Sequence, residues 1–202
     1  MTFNLNQIDF DKGAGLVPAI VQDVDTARVL MLGYMNRDAV AKTQTLGQVT
    51  FFSRSKNRLW TKGETSGNTL ELIDIKLDCD RDTLLVSARP NGPTCHLGTQ
   101  SCFGDGAPEG LGFLSYLEEL IEGRKSADPS SSYTAKLLSG PLRKAAQKVG
   151  EEGVETALAA VDEDDTALKG EAADLIYHLM VVLAARDVTL TDVIGVLKER
   201  HK

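Results

Sequence analysis

The chain has 202 residues, of which 42% are hydrophobic and 25% charged, an ordinary composition that suffices for one large domain or two small ones. Its net charge of −7 disfavours non-specific binding to a nucleic-acid backbone, so no nucleic-acid partner is expected. It has no apolar run long enough to cross a bilayer and no N-terminal secretory pattern, so we expect a cytoplasmic protein without a membrane partner.

Residues 16–103 carry strand patterns. VTFFSRSKNRLWTKG predicts a hairpin that turns at residues 55–57. NTLELIDIKLDCDRDTLLVSARP predicts two further strands, because polar and apolar residues alternate along it. One helix is predicted around NRDAVAKTQTLG, where Asn36 can cap the start and Gly47 the end. The first domain is therefore expected to be mostly β, of the α+β class.

The glycine-rich stretch FGDGAPEGLG indicates a boundary, which predicts one domain over residues 1–110 and another over residues 111–202. The pattern then becomes helical. The predicted helices cover FLSYLEELIEGRK, LRKAAQKVGEEGVETALAAV with Pro141 in its first turn, TALKGEAADLIYHLMVVLAARD and LTDVIGVLKERHK. We expect an all-α bundle of about four helices.

The first half also holds the only cysteines, Cys79, Cys95 and Cys102. An odd number argues against a disulfide framework and favours metal or thiol chemistry. Three thiolates suit zinc and would leave its fourth position for a water, whose pKa zinc can lower to about 7. The spacing matches no standard zinc finger, so three small buried residues that bind no metal remain the alternative. His96 could shuttle a proton beside them or be an ordinary loop histidine.

IKLDCDRD is a second candidate metal site in the same half. If it is a strand, Asp78, Asp80 and Asp82 share one face at spacings of about 6.5–7 Å, and Cys79 lies on the other face. Aspartate is a poor strand former, and carboxylates in a row repel each other. We therefore expect a Mg²⁺ ion that the carboxylates hold and that bridges to a phosphate. Simple alternation on a solvated edge is the alternative.

TKGETSGN is typical of a phosphate-binding loop. Lys62 supplies positive charge, Thr65 and Ser66 supply hydroxyls, and Gly67 allows close approach of the backbone. A glycine-rich hairpin loop would give the same letters, so the motif alone decides little.

Two helices of the second half carry acidic residues at helical spacing. KVGEEGVE places Glu151, Glu152 and Glu155 on an arc of roughly 100°, which for this helix alone is typical of a solvated acidic stripe.

The following helix, GEAADLIYHLMVVLAA, is apolar almost all round, which predicts that it is buried. Its polar residues Glu171, Asp174 and His178 fall within about 60° of one another. Buried carboxylates are costly unless they are paired or bind metal. We therefore expect the two helices to hold Mg²⁺ between them and to position a nucleoside triphosphate together with the water that hydrolyses it.

These motifs resemble those of two known families. WTKGETSGN, DCDRD and PTCHLGTQSCF together resemble phosphoribosyl-AMP cyclohydrolases, and GEEGVE followed by EAAD resembles phosphoribosyl-ATP pyrophosphatases of the MazG-like class. Their order and the chain length resemble the bifunctional enzymes of histidine biosynthesis that fuse both domains. The resemblance implies a C-terminal domain that converts phosphoribosyl-ATP to phosphoribosyl-AMP and pyrophosphate. The N-terminal domain would then open the adenine ring by hydrolysis between N1 and C6.

The resemblance also implies which residues form the sites. It implies a homodimer whose zinc sites form across the interface, with His96 as the candidate proton shuttle. The implied zinc ligands are Cys79, Cys95 and Cys102; the implied Mg²⁺ ligands are Asp78, Asp80 and Asp82 in the first domain, and Glu151, Glu152, Glu155, Glu171 and Asp174 in the second.

Two other functions compete with this interpretation. The helical half could act as a housekeeping pyrophosphatase for aberrant nucleotides, with a structural zinc domain attached. Alternatively, the chain could be a zinc-stabilised scaffold without enzymatic activity, whose bundle mediates oligomerisation.

Overall fold

The computed structural model describes residues 3–108 and 110–201. The chain divides into two compact units, Met1–Gly112 and Phe113–Lys202. Within the described residues, the first unit contains six β-strands and one α-helix, and the second is made of α-helices. This confirms the prediction of a mostly β domain followed by an all-α domain.

A four-stranded sheet forms the centre of the first unit, and its strands are β1 Val17–Asp23, β2 Val29–Met35, β5 Leu70–Leu77 and β6 Leu84–Pro90. Their order across the sheet is β2-β1-β6-β5. β1 pairs antiparallel with β2 and parallel with β6, and β5 pairs antiparallel with β6. β1 buries every second side chain, as the two-residue period of a strand requires, and Val21 lies beside Val86 in the core.

The predicted helix and hairpin are both confirmed. The helix, α1, covers Arg37–Leu46. Asn36 caps it by accepting a hydrogen bond from the Ala39 N–H, and Gly47 ends it in the left-handed conformation. The hairpin pairs β3, Thr50–Ser53, with β4, Arg58–Thr61.

An aromatic stack joins this hairpin to the main sheet. Phe51 is 2% exposed, and its ring stacks on that of Trp60 with the ring centroids 5.6 Å apart. Gly33 of β2 lies directly against Phe51, because a Cβ at position 33 would come within 2.3 Å of the Phe51 Cδ1 atom. The absence of a side chain at Gly33 thus makes room for the ring. We call these three residues the Gly33–Phe51–Trp60 stack.

The segment DCDRD is a turn rather than a strand. β5 ends at Leu77, and residues 78–82 form the turn that leads into β6. The Asp78 Oδ1 atom accepts hydrogen bonds from the N–H groups of Asp82, at 3.0 Å, and Thr83, at 3.1 Å. Aspartate favours turns because its side chain bonds to nearby backbone in this way. The prediction of a strand with Cys79 on its opposite face was therefore wrong.

The second unit contains one helix more than predicted. The additional helix is α3, which follows the serine-rich segment and begins where Ser132 accepts a hydrogen bond from the Ala135 N–H. Pro141 directly precedes α4 instead of lying inside its first turn. Ile121, Met180 and Val181 lie at the centre of the core of this unit. The helices are α2 Gly112–Gly123, α3 Tyr133–Ser139, α4 Leu142–Asp162, α5 Asp165–Ala184 and α6 Leu190–Arg200.

α5 is buried on one side only, so the prediction of a fully buried helix was wrong for the single chain. His178 is 5% exposed, whereas Ile176 is 43% exposed and Asp174 is also exposed. α5 packs chiefly against α4, which covers only part of its apolar surface. None of the helices in the described part of the chain is long and apolar enough to cross a membrane.

We predict that Gly33→Ala destabilises the first unit by about 1–3 kcal/mol, because the new methyl group displaces a buried ring from a packed core. The measurement is urea unfolding followed by the fluorescence of Trp60, the only tryptophan in the chain. Gly106→Ala is the control, since nothing lies within 4 Å of the added methyl group there. Equal unfolding midpoints for the two variants would contradict the close packing at Gly33.

Candidate active sites

A cavity of about 480 Å³ in the first unit gathers most of the chemically active residues predicted there. Its walls come from β2, β4 and the loops that follow β4 and β6. We call this cavity the thiol pocket. It is lined by Met31, Trp60, Lys62, Gly63, Glu64, Thr65, Ser66, Asn68, Pro93, Thr94, Cys95, His96, Gly98 and Cys102.

Cys95 and Cys102 meet in the thiol pocket and differ in their readiness to ionise. Hydrogen bonds from the Leu97 backbone and the Thr99 side chain lower the pKa of Cys95. Burial, followed by the negative charge of Cys95, raises the pKa of Cys102. Cys95 therefore loses its proton more readily than Cys102.

Lys62 is a buried lysine in the wall of the same pocket. It is 7% exposed, and its Nζ donates a hydrogen bond to the carbonyl of Asn68 at 2.9 Å. Burial lowers the pKa of Lys62, while attraction to the charges of Cys102 and Cys95 acts in the opposite direction. The ammonium group thus holds the loop that follows β4 and offsets negative charge on the thiols.

Part of the loop that the sequence predicts to bind phosphate lines the thiol pocket. Thr65 and Ser66 are exposed and line the thiol pocket. Gly67 does not line it, and its N–H donates a hydrogen bond to the carbonyl of Gly63 at 2.9 Å. Gly63 has φ +84°, and a Cβ there would lie 2.5 Å from the Asn68 carbonyl oxygen, so this tight loop requires glycine at position 63.

His96 lines the thiol pocket, whereas Cys79 does not. The His96 Nδ1 atom lies 3.9 Å from the Cys95 Sγ atom, and the ring is exposed. Cys79 is exposed in the turn after β5. No group of three ligand atoms within 4.8 Å of one another, among the residues described, includes any of the cysteines. A single chain thus brings two of the three predicted zinc ligands together.

The donors of the thiol pocket fit a soft cation such as zinc. Two sulfur atoms and an imidazole nitrogen are ligands that zinc accepts. Next to Cys95, the Thr94 Oγ1 atom is buried without a hydrogen-bond partner among the described residues. A buried hydroxyl of this kind normally has a partner, so the wall is incomplete as it stands.

The three aspartates of the turn after β5 lie closer together than a strand would allow. Oxygen atoms of Asp78, Asp80 and Asp82 all fall within 4.8 Å of one another. The Lys12 Nζ atom lies 3.1 Å from Asp80 Oδ2 and 3.4 Å from Asp82 Oδ2. An ammonium group thus contacts two of the three carboxylates, whose oxygen atoms are ligands of the kind that suits Mg²⁺. We call this group the aspartate turn.

A second acidic group lies between α4 and α5. Oxygen atoms of Glu152, Glu171 and Asp174 fall within 4.8 Å of one another, and we call these residues the carboxylate cluster. Glu152 is 5% exposed, and its Oε1 atom lies 3.6 Å from both Lys148 Nζ and His178 Nδ1. A buried carboxylate with partners this distant still lacks most of the compensation that it needs, and oxygen ligands of this kind suit Mg²⁺.

The two other predicted glutamates of α4 lie at different distances from this cluster. Glu155 is close enough to the cluster to feel its charge: burial, then a hydrogen bond with Glu152 and the charges of Glu152 and Glu171, raise the pKa of Glu155. Glu151 instead binds Lys148 at 2.8 Å and Gln147 at 2.7 Å, and these contacts lower the pKa of Glu151.

Sequence reasoning missed several residues that contact these sites. Lys148 precedes its two glutamates by three and four positions, a spacing that could have identified it. Tyr133, whose OH lies 3.2 Å from His178 Nε2, carries no local signal. Lys12 carries none either, because it reaches its aspartates from 68 residues away.

Comparison with known proteins identifies both units. A family model described as phosphoribosyl-AMP cyclohydrolase matches residues 31–104. A second, described as phosphoribosyl-ATP pyrophosphohydrolase, matches residues 114–201. The chain is therefore a multifunctional hydrolase that joins two nucleotide-processing domains.

Relatives of similar length carry the same pair of domains under one name. The histidine biosynthesis bifunctional protein HisIE of Xanthomonas axonopodis pv. citri is 59% identical over 199 residues, covering 98% of this chain and 95% of the relative. The HisIE protein of Vibrio vulnificus strain YJ016 is 58% identical over 97% of the chain and 94% of its own length. That of Escherichia coli O157:H7 is 59% identical over 97% and 96%. The chain belongs to this family of bifunctional histidine-biosynthesis proteins.

We predict that Lys12→Gln tightens Mn²⁺ binding at the aspartate turn by about two- to fivefold, because a competing surface ion pair is removed. Mn²⁺ replaces Mg²⁺ so that binding can be followed by electron paramagnetic resonance. The chain for this titration also carries Glu171→Gln and Asp174→Asn, which silence the carboxylate cluster. Lys12→Arg keeps the positive charge and serves as the control. An unchanged dissociation constant in Lys12→Gln would show that the ammonium does not compete.

Proposed function

We propose that the two units catalyse consecutive hydrolyses. Residues 111–202 would convert phosphoribosyl-ATP to phosphoribosyl-AMP and pyrophosphate, and residues 1–110 would open the adenine ring of phosphoribosyl-AMP between N1 and C6. The observation that carries this proposal is the presence of two chemically different sites in two separate units. A thiol pocket lies in the unit that matches the cyclohydrolase model, and a carboxylate cluster in the unit that matches the pyrophosphohydrolase model.

For ring opening, we propose zinc ligation by Cys79, Cys95 and Cys102. Zinc bound there supplies the Lewis acidity that makes water a nucleophile at neutral pH. The pKa of Cys95 is already lowered, and the positive charge of Lys62 would offset the negative charge that accumulates when both thiols ionise. His96, at the same pocket, takes a proton from the attacking water and returns one to N1 as the N1–C6 bond breaks. The incoming oxygen stays on C6 as the carbonyl of a carboxamide.

We propose that the loop after β4 binds phosphate of the substrate through Thr65 and Ser66, whose side chains are exposed at the pocket. The hydrogen bond from Gly67 to Gly63 keeps this loop tight. Lys62 anchors the loop by donating a hydrogen bond to the carbonyl of Asn68. The aspartate turn, Asp78, Asp80 and Asp82, would hold a Mg²⁺ ion in the same unit.

For pyrophosphate release, we propose that Glu152, Glu155, Glu171 and Asp174 bind Mg²⁺, with Glu151 at the edge of the site. Mg²⁺ bound there neutralises part of the triphosphate charge. The carboxylates orient the water that attacks the α-phosphorus, and the bond to the β-phosphate breaks. Lys148 and His178, each 3.6 Å from Glu152, hold that buried carboxylate in place until the metal binds.

We further propose that the enzyme acts as a cytoplasmic homodimer in which Cys79 of one chain completes the zinc site of the other. Support comes from the separation of Cys79 from the other two cysteines, which meet in the pocket without it.

Mixing inactive chains tests the shared site. When chains carrying Cys79→Ala and chains carrying Cys102→Ala are refolded together in equal amounts, about a quarter of the wild-type ring-opening activity should return, because half of the random dimers hold one intact site. Chains carrying Cys95→Ala and Cys102→Ala, both in the same pocket, are the control and should not complement each other. Failure of the first pair to recover activity would contradict a zinc site shared between subunits.

Separate substitutions should remove one activity at a time. Cys102→Ala should lower bound zinc and slow ring opening by more than about 100-fold while pyrophosphate release persists. Glu171→Gln combined with Asp174→Asn should slow pyrophosphate release while bound zinc and ring opening persist. Bound zinc is measured by mass spectrometry, ring opening by ultraviolet absorbance and pyrophosphate by a coupled assay.

Other outcomes favour other functions. Wild-type ring opening in Cys102→Ala would overturn the zinc assignment. Faster turnover of free nucleoside triphosphates than of phosphoribosyl-ATP would favour a housekeeping pyrophosphatase. Stoichiometric zinc without hydrolysis of any nucleotide would favour a scaffold.

A further inference from the structure

We propose that Trp60 is the surface on which the adenine ring of phosphoribosyl-AMP stacks in the thiol pocket, a role that rests on the ring-opening function proposed above. Trp60 contributes the one Phe, Tyr or Trp ring among the described residues that line this cavity. It lines the same cavity as Cys95, Cys102 and His96. A base held against Trp60 is therefore in the space where the proposed chemistry takes place.

The chemistry of the substrate explains why an aromatic wall is needed. Hydrolysis at one carbon of a purine requires that the flat ring be held in a fixed plane, so that water approaches C6 from one face. The π-face of a purine stacks well on an indole, and such stacking holds the ring in one plane. A cavity of about 480 Å³ is large enough for a nucleotide of this size.

The indole of Trp60 is held rigidly before any ligand arrives. Phe51 stacks on it at 5.6 Å with an angle of 28° between the ring planes, and Trp60 pairs with Phe51 across the β3–β4 hairpin. Phe51 is itself fixed in the core against Gly33. A platform that does not need to be ordered on binding loses little conformational entropy, which favours its use in recognition.

The polar groups of the pocket complement this apolar wall. Thr65, Ser66 and the buried Lys62 line the cavity along with Trp60, so one ligand can place a base on the indole and a phosphate near the hydroxyls. The apolar wall thus suits the base of a nucleotide, and the polar wall suits its phosphate.

The first test uses the fluorescence of Trp60, which reports on this site alone because the chain has a single tryptophan. Phosphoribosyl-AMP is added to the full chain carrying Cys102→Ala, which should not consume it. We expect saturable quenching by phosphoribosyl-AMP and no change with ribose 5-phosphate, which lacks the base. Absence of quenching, or equal quenching by both ligands, would overturn the stacking role.

The second test uses kinetics of the otherwise unaltered enzyme. Trp60→Leu should raise the KM of ring opening by about 5- to 100-fold, and it should change kcat less, because stacking acts on bound substrate and transition state alike. Trp60→Phe should recover most of the loss. Phe52→Leu removes a ring from the same hairpin that does not line the pocket, and it is the matched control. A wild-type KM in Trp60→Leu would overturn the proposal.

The two tests separate this inference from the proposed function. If the wild-type chain opens no adenine ring, the proposed function fails, while selective quenching by phosphoribosyl-AMP would still support stacking on Trp60. If ring opening proceeds normally in Trp60→Leu and no quenching occurs, the function stands and the inference fails.

Discussion

Repulsion between like-charged groups is the constraint on which the chemistry of this chain depends. Each unit holds three carboxylates whose oxygen atoms lie within 4.8 Å of one another, a distance at which like charges repel strongly. In each case a lysine supplies part of the missing positive charge: Lys12 at the aspartate turn, Lys62 at the thiol pair and Lys148 at the carboxylate cluster. A single ammonium group offsets the charge of such a cluster only partly, and the two carboxylate groups could therefore accept a cation of higher charge.

Elements whose sequence pattern is local and specific could be predicted. A pattern that two different local structures produce equally well could not decide between them. α1 has a capping residue at one end and a glycine at the other, and both act within a few residues. Alternating aspartates, in contrast, are produced equally by a strand and by a turn whose first side chain bonds the following backbone. The apolar residues all round α5 predicted burial, but burial depends on how many neighbours the fold supplies, and Ile176 stays exposed.

For the candidate sites, the sequence predicted which residue types take part but not which of them lie close together in the fold. The sequence indicated which side chains could bind metal, because thiols and carboxylates carry that chemistry wherever they lie. It could not indicate that Glu151 binds Lys148 while Glu152 joins the cluster, since the two follow each other in sequence on the same acidic arc of α4. Nor could it indicate that Cys95 and Cys102 meet without Cys79, because that depends on the fold of distant loops.

The Gly33–Phe51–Trp60 stack has a consequence for how the first unit responds to heat. One wall of the thiol pocket is an extension of the hydrophobic interior instead of a loop laid over it. Because that wall packs on the sheet, we expect it to be lost in the same unfolding transition as the sheet when the unit is heated. Substitutions in this stack that adapt the stability of the unit to a different growth temperature would therefore also change the shape of the pocket wall.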